Sequence, residues 1–154
     1  MPLNRDYIGR TYTSDRPYEV GREKIVEFAD AIGDANPAFR DVDAAKALGH
    51  PDIVAPPTFA IVVSLKASGN AVFDPGLGLN YALVVHGEQQ FVHHRPIRPG
   101  DRLTATSVIK DIRDAGRNEL MTIETDLVND DGEKVCTALN TIVSRGTAAS
   151  AGGA

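Results

Sequence analysis

The chain has 154 residues, 42% hydrophobic and 24% charged, the make-up of one globular domain large enough to bury a core of its own. Sixteen Lys and Arg stand against 21 Asp and Glu, and the formal net charge of -5 argues against a nucleic-acid or membrane-surface partner. The one cysteine, Cys136, excludes an internal disulfide framework and fits a reducing, cytoplasmic setting.

The first element is helical. Ile25, Phe28, Ala29 and Ile32 recur on one face, Glu23, Glu27 and Asp30 take the other, and Gly33 ends the run. A loop follows from Asp34 to Arg40. Asp41 then offers an N-cap to a short Ala-rich helix running through Leu48 and closed by Gly49.

Ala55-Pro56-Pro57-Thr58-Phe59 begins the third element. Proline suits the first turn of a helix, where its missing N–H has no internal partner. Residues Phe59 to Leu65 are apolar nearly all round, which is the pattern of a buried helix. Length alone would also allow a strand; the Pro-Pro start and the stop near Ser68-Gly69-Asn70 decide for helix. Asp74 to Asn80 is a loop.

The second half reads as strands. They run from Tyr81 to His94, from Leu103 to Arg113, and through Met121, Ile123, Thr125 and Leu127 with the period of two that marks a half-buried strand. Asn129-Asp130-Asp131-Gly132 is a hairpin turn, and Val135, Leu139 and Val143 mark the last strand. The expected organisation is one domain over 1–146 and a disordered small-residue tail over 147–154. Met1 to Arg10 has no apolar signal-peptide core, and the longest apolar runs are too short to span a bilayer, so neither secretion nor a membrane is expected. A helix apolar on all sides must be wrapped, and a curved antiparallel sheet closing round it satisfies both halves of the pattern.

Three motifs in this order resemble the MaoC-like hydratase/dehydratase family: Gly33-Asp34-Ala35-Asn36-Pro37, then Ala55-Pro56-Pro57-Thr58-Phe59, then His86-Gly87-Glu88-Gln89 with Phe91, Arg95-Pro96-Ile97 and Gly100-Asp101. The likeness runs from about Tyr7 to Arg145. Within the family the chain is similar to single-domain proteins of the dehydratase N-terminal type, such as the A subunit of (3R)-hydroxyacyl dehydratase. The resemblance implies an α+β hot-dog fold, a curved antiparallel β-sheet around a central buried α-helix. It also implies an acyl-CoA or acyl-carrier-protein thioester as ligand and no cofactor. Pairing is implied too, as a homodimer or as a heterodimer with a catalytic hot-dog subunit.

Active members of that family place a His where this chain has Phe39, and their Asp and His handle protons on one water. Asp34, Asn36 and Pro37 match the motif; Phe39 can neither accept nor donate a proton. Where active members have a glycine N–H that polarises the thioester carbonyl, this chain has Pro57, which has no N–H. Thr58, Phe59 and Ala60 carry the neighbouring N–H groups. The resemblance therefore implies a subunit that shapes an acyl channel for a catalytic partner. An active homodimeric enoyl-CoA hydratase rewired around Asp34 and His86 is the alternative, as is an acyl-CoA-binding or thioesterase-type domain.

Each residue also has a plainer reading. Asp34 is either a proton-handling acid or a loop aspartate serving backbone N–H groups. His86 is either a site residue or a structural hydrogen-bonder, and Gln89 likewise. His93 and His94 adjoin on a strand and should point to opposite faces, so no metal site is expected. Cys136 has no cationic neighbour that would make it reactive. Arg95, Arg98 and Arg102 form the one local basic cluster and could meet a phosphate or stand in a solvated turn.

Overall fold

The computed structural model describes residues 1–149. Two short strands open the fold, β1 (Thr11–Thr13) and β2 (Tyr18–Glu19). Helix α1 (Arg22–Ala31) buries Ile25 and Ala29, and Gly33 leaves it at φ 70°. Ile32 caps the helix end and is 48% exposed, so the expected apolar face stops one turn early. Helix α2 (Val42–Ala47) starts as expected, with the Asp41 carboxylate accepting from the Asp43 and Ala44 N–H groups at 2.8 and 3.0 Å.

Helix α3 (Ala60–Val72) runs past the expected stop, and Pro57 lies in a turn before it rather than within its first turn. Strand β3 (Val84–His93) begins after a 3-10 turn at Tyr81–Leu83, so the first three residues of the expected strand are not extended. Strands β4 (Arg102–Ala115), β5 (Asn118–Val128) and β6 (Lys134–Ser144) complete the chain.

All pairings are antiparallel, in the order β1-β4-β5-β6-β3, with β2 also on β4. Met121, Ile123, Thr125 and Leu127 are buried at every second position of β5, as the alternation predicts. On β6 the inward set is Cys136, Ala138, Asn140, Ile142 and Ser144, while Leu139 and Val143 are half-exposed. Two buried polar residues on the inward face hide that strand's true phase from an apolar count.

Helix α3 lies against the sheet, contacting β1, β4, β5 and β6. Its first half joins α1, Phe39, Ile97 and Leu103 in one apolar cluster, where Phe59 meets the Phe28 ring edge-on at 5.4 Å. Its end joins a second cluster with Leu3, Leu77, Ile109, Met121 and Ile142. The helix is not covered on all sides by its own chain, since Leu65 is 54% exposed and Lys66 is exposed beside it. Among the described residues strand β3 pairs only with β6, which leaves its other edge free of them. Gly87 bulges from β3, and a Cβ there would come within 2.9 Å of the Val143 side chain.

Order continues beyond residue 146. Thr147 is buried and donates to the Ser144 hydroxyl at 2.9 Å, and the Ala148 N–H donates to the Arg117 carbonyl. The rest of the expected tail, 150–154, lies outside the described residues. Among the described residues no helix is long and apolar enough to cross a membrane.

The N-terminal segment is held by a buried polar contact. The Glu119 carboxyl, fully buried, accepts from the Leu3 N–H at 2.9 Å. Removing it leaves a buried N–H unpaired, which costs about 1–3 kcal/mol. Glu119→Ala should lower unfolding free energy by about that much in urea titration. Hydrogen exchange should speed up in residues 3–8 before it does in β5.

Candidate active site

Three separated segments converge on one cavity of about 470 Å3. Asn36 and Phe39 come from the loop after α1, Pro56 and Pro57 from the turn before α3, and residues 93–97 from the end of β3. Local chemistry fixes the loop. The Asp34 carboxylate accepts from the Asn36 N–H at 3.0 Å, and the Asn36 side chain accepts from the Ala38 N–H at 3.0 Å. These two Asx turns wind Pro37–Phe39 into a single 3-10 turn, which drives Phe39 into the core at 5% exposure. Backbone bonds seat the loop as well. The Val54 N–H donates to the Ala38 carbonyl at 3.1 Å, and the Ala55 N–H to the Ile97 carbonyl at 2.8 Å.

Of the residues singled out in the sequence, Asn36, Phe39, Pro57 and Arg95 line this cavity; Asp34, Thr58, His86, Gln89 and Arg98 do not. Thr58 is exposed, and the Phe59 N–H is taken by the Pro56 carbonyl at 2.9 Å, so one of the substitute donors is already used. The exposed His86 ring bonds the Glu88 carbonyl at 3.0 Å across the Gly87 bulge. Gln89 donates to the Leu139 carbonyl at 3.1 Å, leaving its own buried Oε1 without a partner.

His93 and His94 both line the cavity, because β3 ends at His93 and its alternation ends there too. His50, just after α2, joins them, and no periodic or motif signal in the sequence marks it. No group of three His, Cys, Asp or Glu among the described residues is placed to hold a metal ion. Cys136 is fully buried, and burial, with Asp126 nearby, pushes its thiol up to about 11.

Residues 6–138 match the family described as the FAS1-like dehydratase domain region. The chain belongs to this family. It is 53% identical over 148 residues to a UPF0336 protein of Saccharopolyspora erythraea, covering 96% of this chain and 95% of that one. It is 52% identical over 145 residues to a UPF0336 protein of Streptomyces coelicolor, covering 94% and 97%.

Among solved structures it resembles a MaoC-like dehydratase, at 32% identity and a TM-score of 0.84. That match covers 90% of this chain but only 42% of the other, longer one. It also resembles the truncated HadBC (3R-hydroxyacyl-ACP dehydratase) complex of Mycobacterium tuberculosis, at 30% identity, TM-score 0.83, and coverage of 92% and 99%. The fold is thus the α+β hot-dog fold of MaoC-like proteins, and the likeness read from the three motifs is one of family.

Against that family pattern, the arginine cluster of this FAS1-like dehydratase domain is largely committed to its own acids. Arg95 donates to both oxygens of Asp101 at 2.9 Å, and through Nε to Glu133 at 3.1 Å. Arg102 pairs with Glu19 and Asp130. Arg98 forms no ion pair among the described residues, although its backbone N–H donates to Asp101. Arg95 therefore clamps the segment that closes the cavity onto the β5–β6 turn, with both of its faces spent.

Burial alone would raise the Asp101 carboxyl. The Arg95 guanidinium and the Arg98 N–H outweigh burial and hold it below the usual carboxylate range. A lowered folded-state pKa stabilises the fold above the ordinary carboxylate value, and that contribution is lost as pH falls through the folded one. Asp101→Asn should cost about 1–3 kcal/mol at neutral pH. Its stability, followed by denaturant titration at successive pH values, should fall less steeply below pH ~4 than that of the parent chain.

Proposed function

We propose that this chain is a subunit of a hydratase/dehydratase acting on a 3-hydroxyacyl or 2-enoyl thioester, carried on CoA or an acyl carrier protein, and that it shapes the site rather than performs the proton transfer. The observation that carries the reading is Phe39. It stands in the wall of the cavity that the three motif segments build, at the position where the family resemblance calls for a histidine. Asp34, its would-be partner, is tied into an Asx turn and does not line the cavity. Pro57 supplies no N–H for a developing oxyanion, and loss of one such donor costs about 10²–10³ in rate. The proton-handling pair then comes from a second, non-identical hot-dog chain, because a second copy of this one only repeats Phe39.

The free edge of β3 is where that chain docks. An open strand of ten residues presents unpaired backbone groups, and Val85 and Val92 on it are 42% and 41% exposed. Solved relatives include the HadBC complex and the ChsH1-ChsH2 complex of Mycobacterium tuberculosis, the latter 28% identical with a TM-score of 0.65. Arg98 is the cationic side chain in this region left to meet a phosphate of the thioester carrier. The chain works in the cytoplasm on this reading.

The decisive experiment is co-expression with a hot-dog chain that carries both Asp and His. Purified alone, this chain should leave the enoyl absorbance of crotonyl-CoA unchanged; the pair should form a stable complex whose hydration rate exceeds that of the partner alone. Val92→Lys should weaken the complex by about tenfold or more, as expected where a buried charge meets an apolar contact. Hydration by this chain alone that disappears in Asp34→Asn would show a rewired, self-sufficient site and sink the proposal.

A further inference from the structure

A second cavity, of about 880 Å3, lies on another part of the molecule and shares no lining residue with the motif cavity. One wall is helix α3, through Val63, Lys66, Ala67 and Asn70; the other is the arch from Ser14 to Glu19 that joins β1 to β2. The arch is fastened at both ends. Ser14 exchanges bonds with Ala105, its N–H donating at 2.8 Å and its hydroxyl accepting at 3.1 Å. The Val20 N–H donates to the Asp101 carbonyl at 2.8 Å. Between Ser14 and Tyr18, where β2 pairs with β4 again, the chain arches away from the sheet over the cavity.

The floor is apolar and buried: Val63, Ala67, Leu103 and Ala105 are each under 5% exposed. The rim is cationic. Six of the sixteen basic side chains have no carboxylate partner among the described residues, and two of these, Lys66 and Arg16, line this cavity. Of the two acids on the rim, Glu19 is neutralised by Arg102, which leaves Asp15 against two cations. The volume is that of a small-molecule site, and the polarity is split between floor and rim.

We infer that this cavity binds an amphipathic monoanion, an alkyl chain on the Val63–Ala67–Leu103–Ala105 floor with a carboxylate between Lys66 and Arg16. The inference is independent of the thioester reading, since no motif residue lines this cavity.

The test uses the full chain and sodium dodecanoate below its micelle concentration, titrated by calorimetry. Saturable binding at one site is expected, with dodecanol bound more weakly. Lys66→Glu should weaken dodecanoate by about tenfold or more, the usual loss of a charge-assisted contact. Lys46→Glu, which removes the same charge from α2, should leave it unchanged. Ala67→Phe, which fills the floor, should abolish binding; should that variant not fold, the two lysine variants decide. No saturable binding, equal affinity for dodecanol, or equal weakening by Lys46→Glu overturns the inference.

Discussion

Helix α3 has apolar side chains round more of its circumference than one sheet face can cover. The curved face of β4, β5 and β6 takes one side, with Val63, Ala67 and Ala71 buried. Helix α1 and the turn at Phe39 take part of another, through Phe28 against Phe59. What remains, including Leu65, is left to solvent. An uncovered apolar side chain and an open strand edge are both features that pairing would cover.

The same helix separates the two cavities. The turn before it, with Pro56 and Pro57, closes the motif cavity, and the middle of the helix, with Lys66 and Asn70, forms a wall of the other. Val54 and Ala55, which lead into that turn, are held by backbone bonds to Ala38 and Ile97, so the motif segments depend on one another for position. The Arg95–Asp101 clamp then ties the Ile97 region to the β5–β6 turn through Glu133. Substitution in any of these segments is felt at the cavity without a residue there being touched.

Elements with a local signature were legible in the sequence. Asp41 and Gly49 bracket α2 because capping is a matter of two or three adjacent residues, and β5 declares itself by alternation. Strands β1 and β2 were not legible, because three and two residues cannot display a period and both exist only as pairs of β4. The phase of β6 was hidden by Asn140 and Ser144 on its inner face. Arginine roles were hidden for a different reason: the acids that occupy Arg102, Glu19 and Asp130, lie 83 and 28 residues away in the chain. The three motif segments were legible as a set, whereas His50 enters their cavity from a helix end that carries no motif.

On the proposed reading, Phe39 shows how a site can forgo a histidine without cost to the fold. At 5% exposure, in a cluster with Phe59, Ile97 and Leu103, an aromatic ring contributes apolar burial and needs no hydrogen-bond partner. A histidine in the same place would bury two ring nitrogens, and each would need a partner to avoid an unpaired polar group. In a catalytic chain the water and the Asp provide them. Here Asp34 lends one oxygen to the Asn36 N–H and does not line the cavity, so phenylalanine suits the position on packing grounds. A single Phe39→His exchange would place two ring nitrogens in an apolar wall, where each needs a partner. On the proposed reading, the apolar packing of Phe39 and the absence of Asp34 from the cavity lining are the physical reasons to look for the proton-handling pair on another chain.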